Sequence, residues 1–149
     1  MRVACLHLPL FPLAARLRAE PELGGAAVAV CEGNGGAARV VAASRPARKA
    51  GVRTGMTLAQ ARGRLPDLLA RARDEGAERS AHEALLEVAW AASPTVEDAA
   101  EDLLYADVSG MEALYADEAE LGRTVALAAE KVGLVVRVGI AASKLAARV

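Results

Sequence analysis

Two hydrophobic rhythms alternate along the chain, a short continuous apolar run and a spaced helical stripe. Residues 2–8, Arg-Val-Ala-Cys-Leu-His-Leu, are nearly all apolar and end at Pro9, the pattern of a buried strand. Pro12 falls where a first helical turn accepts proline, and Phe11, Ala14 and Leu17 give a short amphipathic helix that Pro21 stops. Residues 26–31 form a second apolar run. A turn rich in residues that tolerate positive φ follows at Glu32-Gly33-Asn34-Gly35-Gly36, and residues 37–43 return as a third strand, completing a hairpin. From Ser44 to Arg79 the pattern changes to short, basic, helical pieces. Thr57 with Gln60 makes a capping box, Leu58, Ala61 and Leu65 follow at helical spacing, and Pro66 ends the helix. Ser80 with Glu83 reads as a second capping box, behind which Ala81, Ala84, Leu85, Val88 and Ala92 form one stripe and predict a helix over 80–92. Residues 103–108 form a strand closed by Ser109-Gly110. Asp117 with Glu120 starts a helix whose Leu121, Val125, Ala128 and Val132 face inward and which Gly133 ends. Residues 134–141 make the last strand, and a further helix begins at Ser143.

The order strand, helix, two strands, basic helical insertion, then two helix–strand pairs defines an α/β (α+β) fold. The expected sheet uses residues 2–8, 26–31, 37–43, 103–108 and 134–141, with the helices at 80–92 and 117–133 on one face. No internal repeat is present. The chain of 149 residues is long enough to bury a core, and no apolar run approaches the roughly 18 residues of a membrane span. A short apolar start without a small-residue cleavage pattern does not fit a signal peptide, so the expected location is cytoplasmic. Cys5 and Cys31 are too few for a disulfide framework or a zinc site and read as reduced, buried small hydrophobes.

The net charge of -1 hides a sorted distribution. Residues 39–79 hold ten basic and four acidic groups, net +6, whereas residues 80–120 hold eleven acidic groups and no Lys or Arg, net -11. Residues 121–149 hold five basic groups and one acidic, net +4. A basic third suits a polyanion partner; a pair of solvated, mutually attractive faces would give the same sorting.

Three segments in order then point to a family. Val40-Val41-Ala42-Ala43-Ser44-Arg45-Pro46-Ala47-Arg48-Lys49-Ala50 runs into the turn Gly51-Val52-Arg53-Thr54-Gly55-Met56. Leu104-Tyr105-Ala106-Asp107-Val108-Ser109-Gly110 follows, and Val138-Gly139-Ile140-Ala141-Ala142-Ser143-Lys144-Leu145-Ala146-Ala147-Arg148 is the third. Together they resemble the amino-terminal half of the Y-family (UmuC/ImpB-type) translesion DNA polymerases. The resemblance implies a palm-like domain from 1–43 and 80–149 with a small helical, fingers-like insertion at 44–79. It also implies a longer protein, of which this chain is a fragment lacking the thumb and the carboxy-terminal DNA-gripping domain.

The implied chemistry needs two divalent metals held by hard oxygen ligands, chiefly carboxylates. The resemblance places the first-strand ligand at His7, where the family has Asp, and Pro9 at a second acidic position. Pro12 stands in place of the aromatic steric gate. Asp102 matches the family's Asp on the second strand, but its neighbouring Glu is Leu103, so one carboxylate remains of the usual three. Asp102 is thus a weak metal candidate, and no metal or other cofactor is expected; Mg²⁺ belongs only to the alternative of an active polymerase. A single His on an apolar strand, like His82 on its helix, is ordinarily a satisfied structural residue. The phosphate-facing side is better kept. Arg48 matches a triphosphate-contacting Arg, with Arg45 where an accompanying Tyr stands, and Arg53 lies in the following turn. Arg148 replaces a triphosphate-contacting Lys, and Lys144 matches the Lys one helical turn earlier.

Cations kept and carboxylates lost resemble the ImuB-type proteins, inactive Y-family relatives of bacterial mutagenesis complexes. That likeness implies a non-catalytic DNA repair accessory of the SOS response. It would contact DNA weakly and without sequence preference, with a RecA-like protein, an error-prone replicative-type polymerase and the sliding clamp as partners of regions outside this chain. The alternatives are an active Y-family polymerase fragment and an unrelated α/β nucleotide- or protein-binding module. Gly33–Gly36 is no phosphate loop, since it joins two strands and lacks the following helix and Lys.

Overall fold

The structure, a computed structural model, describes residues 1–111 and 114–148. The chain divides into two compact units, residues 1–9 with 79–149 and residues 10–78. Among the described residues the strands form two sheets, one in each unit.

The first unit is built on β1 (Val3–His7), β5 (Val96–Ala100), β6 (Leu103–Asp107) and β7 (Arg137–Ala141), in the order β5-β6-β1-β7. β1 is antiparallel to both neighbours and buried along its length except at His7, as expected of a continuous apolar run. Its alternate residues serve two faces. Ala4 and Leu6 lie opposite Ile140 and Val138 of β7, the two β7 residues that line a groove with α5 (Glu118–Lys131). Cys5 and His7 point to the other face, where α6 (Lys144–Arg148) packs through Ala147 against Cys5 and Leu103.

The second unit holds α1 (Phe11–Ala19), β2 (Val28–Glu32), β3 (Arg39–Ala43), α2 (Arg45–Lys49), α3 (Leu58–Arg64) and β4 (Leu69–Ala72). Its sheet runs β3-β2-β4, with the β2–β3 hairpin expected from the glycine-rich turn and β4 added parallel to β2. α4 (Glu75–Ala92) begins in this unit and continues into the other.

The single sheet expected from the sequence is therefore two. β1 and β2 are both apolar runs buried on each side, and each occupies the interior of its own sheet. The unit containing the basic insertion is also larger than 44–79, because β2 and β3 share its core of Ala29, Val40, Ala47, Val52 and Leu68, while α1 packs through Leu13 on a second cluster with Val28, Val30 and Ala42. The Ser80–Glu83 box does not start α4. The helix opens five residues earlier, where the Asp74 carboxylate accepts from the Ala77 N–H at 3.0 Å, leaving Ser80 inside the helix. Along α5 the inward stripe is Leu121, Val125 and Ala129 rather than Ala128 and Val132. The Thr57–Gln60 box and the Asp117 cap form as expected. β4 and β5 lacked a sequence signal, because their side chains are mostly exposed and do not alternate.

Candidate functional site

Two clusters of candidate residues form, one in each unit.

In the second unit, a shallow groove is lined by Arg45, Arg48, Lys49 and Arg53. Buried Ser44 immediately precedes these residues. Its hydroxyl accepts from the Val28 N–H at 2.8 Å and donates to the Ala26 carbonyl at 2.9 Å, tying the end of β3 to the start of β2. α2 begins at the next residue, with Pro46 in its first turn and Ala47 fully buried. The motif turn that follows needs glycine twice, since Gly51 has φ 101° and Gly55 φ 91°. It docks on β3 by two hydrogen bonds of 2.8 Å, Gly55 N–H to Val40 and Val40 N–H to Met56. The Arg53 guanidinium donates to the carbonyls of Arg48 (2.7 Å) and Val52 (3.0 Å), so part of its role is to cap α2. Among the described residues Arg45, Arg48 and Lys49 have no acidic partner and are exposed. Such a groove can receive phosphate oxygens.

In the first unit, the β1–β6 register sets His7 opposite Leu103, with the Leu8 N–H donating to the Asp102 carbonyl at 2.9 Å. His7 Nε2 lies 3.6 Å from Asp102 Oδ2, both side chains about 40% exposed. Leu103 instead turns into the buried cluster with Cys5 and Ala147. Among the described residues no group of three His, Cys, Asp or Glu side chains converges. Two hard divalent ions do not fit this donor set, which offers one carboxylate already facing an imidazole.

α6 is capped by Ser143, whose hydroxyl accepts from the Ala146 N–H at 3.2 Å. It lies so close to β7 that a Cβ on Gly139 would stand 2.0 Å from the Ala147 carbonyl oxygen. Lys144 at its start is ion-paired with Glu97 and sits 5.7 Å over the Tyr105 ring. Arg148 is exposed at its end. Burial pushes the Cys5 thiol up while the Arg148 charge opposes it, and Cys31 is likewise raised by burial against the pull of Arg62. Both are free, buried thiols, as the sequence suggests. His82, expected to be structural, donates to the Glu101 carbonyl at 2.8 Å and the Asp98 carboxylate at 2.9 Å. Glu97 and Tyr105 were not singled out in the sequence, because the pairing that joins them to Lys144 is long-range.

These two units define a Y-family DNA polymerase-like domain. The solved structure titled an insertion ternary complex of Dbh DNA polymerase matches with TM-score 0.86 and 24% identity, over 99% of this chain and 44% of that one. A Dbh ternary complex with partially disordered substrates matches at 0.85 and 25%, and DinB from Sulfolobus solfataricus at 0.85 and 24%, with the same coverage. The chain therefore spans less than half the length of the structures it resembles. It belongs to the impB/mucB/samB family, whose model matches residues 6–149. No curated protein matches it. Membership in this family removes the unrelated α/β module from consideration. Among the described residues no helix is long and apolar enough to cross a membrane.

Proposed function

We propose that this domain is a non-catalytic Y-family accessory of translesion synthesis, of the ImuB type, which contacts DNA phosphates and serves a mutagenesis complex. One observation carries the reading: at the metal-ligand positions an imidazole faces the single carboxylate Asp102, and Leu103 is buried. Transfer of a nucleotidyl group needs two cations to activate a hydroxyl and neutralise a triphosphate, and this set supplies too little negative charge to hold them. The cationic groove of Arg45, Arg48, Lys49 and Arg53 supports the DNA contact, and Arg148 is an exposed cation of the other unit. The similar structures are of DNA polymerases, two of them ternary complexes, which favours DNA as the polyanion. In this reading the domain works in the cytoplasm in the SOS response. A RecA-like protein, an error-prone replicative-type polymerase and the sliding clamp are its partners in the complex, through regions outside this chain.

Primer extension with Mg²⁺ or Mn²⁺ tests the proposal. No incorporation is expected from the purified chain. Metal-dependent incorporation that Asp102→Ala abolishes would establish the active polymerase instead.

A further inference from the structure

The resemblance offered Lys144 as a phosphate contact, but its surroundings give it other work. In the sheet register Tyr105 of β6 stands opposite Glu97 of β5 on one side and Cys5 of β1 on the other. The three side chains therefore form one row on the face that α6 covers. Lys144, the first residue of α6, meets this row twice, through its ion pair with Glu97 and its place over the Tyr105 ring. One turn further on, Ala147 rests on Cys5 and Leu103, and its carbonyl lies against Gly139. A phosphate approaching Lys144 meets the Glu97 carboxylate at the same place, so the pair presents no net positive charge. Arg45, Arg48 and Lys49 have no such counter-charge among the described residues.

We propose that Lys144 is a positioning residue that pins α6 to β5 and β6 through Glu97 and Tyr105, and that it contributes no phosphate contact. Its charge is countered at the surface by Glu97, and Arg148 is left as the cation that α6 presents with no acidic partner among the described residues. The second half of this statement rests on the DNA-binding reading; the first half does not.

Cys5 reports on the clamp because it lies directly beneath α6. In the full chain, labelling of Cys5 by a thiol reagent is followed peptide by peptide by mass spectrometry, with buried Cys31 in the other unit as internal control. Lys144→Met and Glu97→Gln should each speed Cys5 labelling several-fold and leave Cys31 unchanged. The double variant should be no faster than either single one, and Lys144→Arg should restore slow labelling. The salt dependence of binding to a DNA oligonucleotide should keep its slope in Lys144→Met. Unchanged Cys5 labelling in Lys144→Met, or additive effects in the double variant, would overturn the clamp. A slope flattened by roughly 0.9, the value of one lost phosphate contact, would overturn the exclusion of Lys144 from DNA. If the unaltered chain binds no DNA at low salt, the DNA reading fails, and the Cys5 labelling still decides the role of Lys144.

Discussion

Single residues set the tolerances of this domain. Gly139 is demanded by contact rather than by backbone freedom, since any side chain there collides with the Ala147 carbonyl. Gly139→Ala should therefore lift α6 from the sheet and cost about 1–3 kcal/mol in denaturant unfolding. Leu10 is the reverse case. It precedes α1 with φ 51° and ψ 53°, a left-handed conformation that a branched side chain resists by roughly 1–2 kcal/mol. Leu10→Asn, which tolerates that region, should raise stability by up to about 1 kcal/mol. The sequence shows neither effect. A glycine in a strand and a leucine before a helix look ordinary until the backbone angles and the neighbouring helix are known. His7, Asp102 and Leu103 are different, because residue type alone shows a single carboxylate among the three.

At the scale of elements, the helix ends and ties are open to direct tests. The start of α4 belongs to Asp74, so Asp74→Ala should cost about 1 kcal/mol in denaturant unfolding. The same helix is tied to the β5–β6 turn by His82. Burial alone would lower its pKa, but the hydrogen bonds to the Glu101 carbonyl and the Asp98 carboxylate outweigh it and hold the imidazolium above the ordinary value of 6.5. A pKa raised on folding gives stability that is fully present below the unfolded value and fades as pH rises through the folded one. His82→Ala should therefore lose about 1 kcal/mol in unfolding at pH 6 and markedly less at pH 8.5. The capping box at Thr57 and Gln60 was legible because it is local, three residues apart and followed by an apolar stripe. The false box at Ser80 had the same letters. An acidic cap six residues upstream and the continuing helix displaced it, a competition that spacing does not reveal.

For the whole molecule, the sorted charge is the property that bears on function. Binding to DNA should be weak, within the roughly 10⁻⁴–10⁻⁶ M range of non-specific association. Replacing Arg45, Arg48 and Lys49 together by Ala should flatten the salt dependence by roughly two to three, which titration of a labelled oligonucleotide over a salt series will check. Arg53 is left out of that set because it also caps α2. By itself the sequence determined the apolar runs, most of the helices and the β2–β3 hairpin, and the family likeness that the family model matches. These depend on local periodicity and on residue order. Only the tertiary structure decided that two buried strands build two sheets, that β4 and β5 complete them, and that Lys144 finds Glu97 and Tyr105. Pairing between strands far apart in the chain is chosen by which faces can be buried together. That choice leaves no periodic mark on an exposed edge strand such as β5, nor on a lysine whose partner stands 47 residues away.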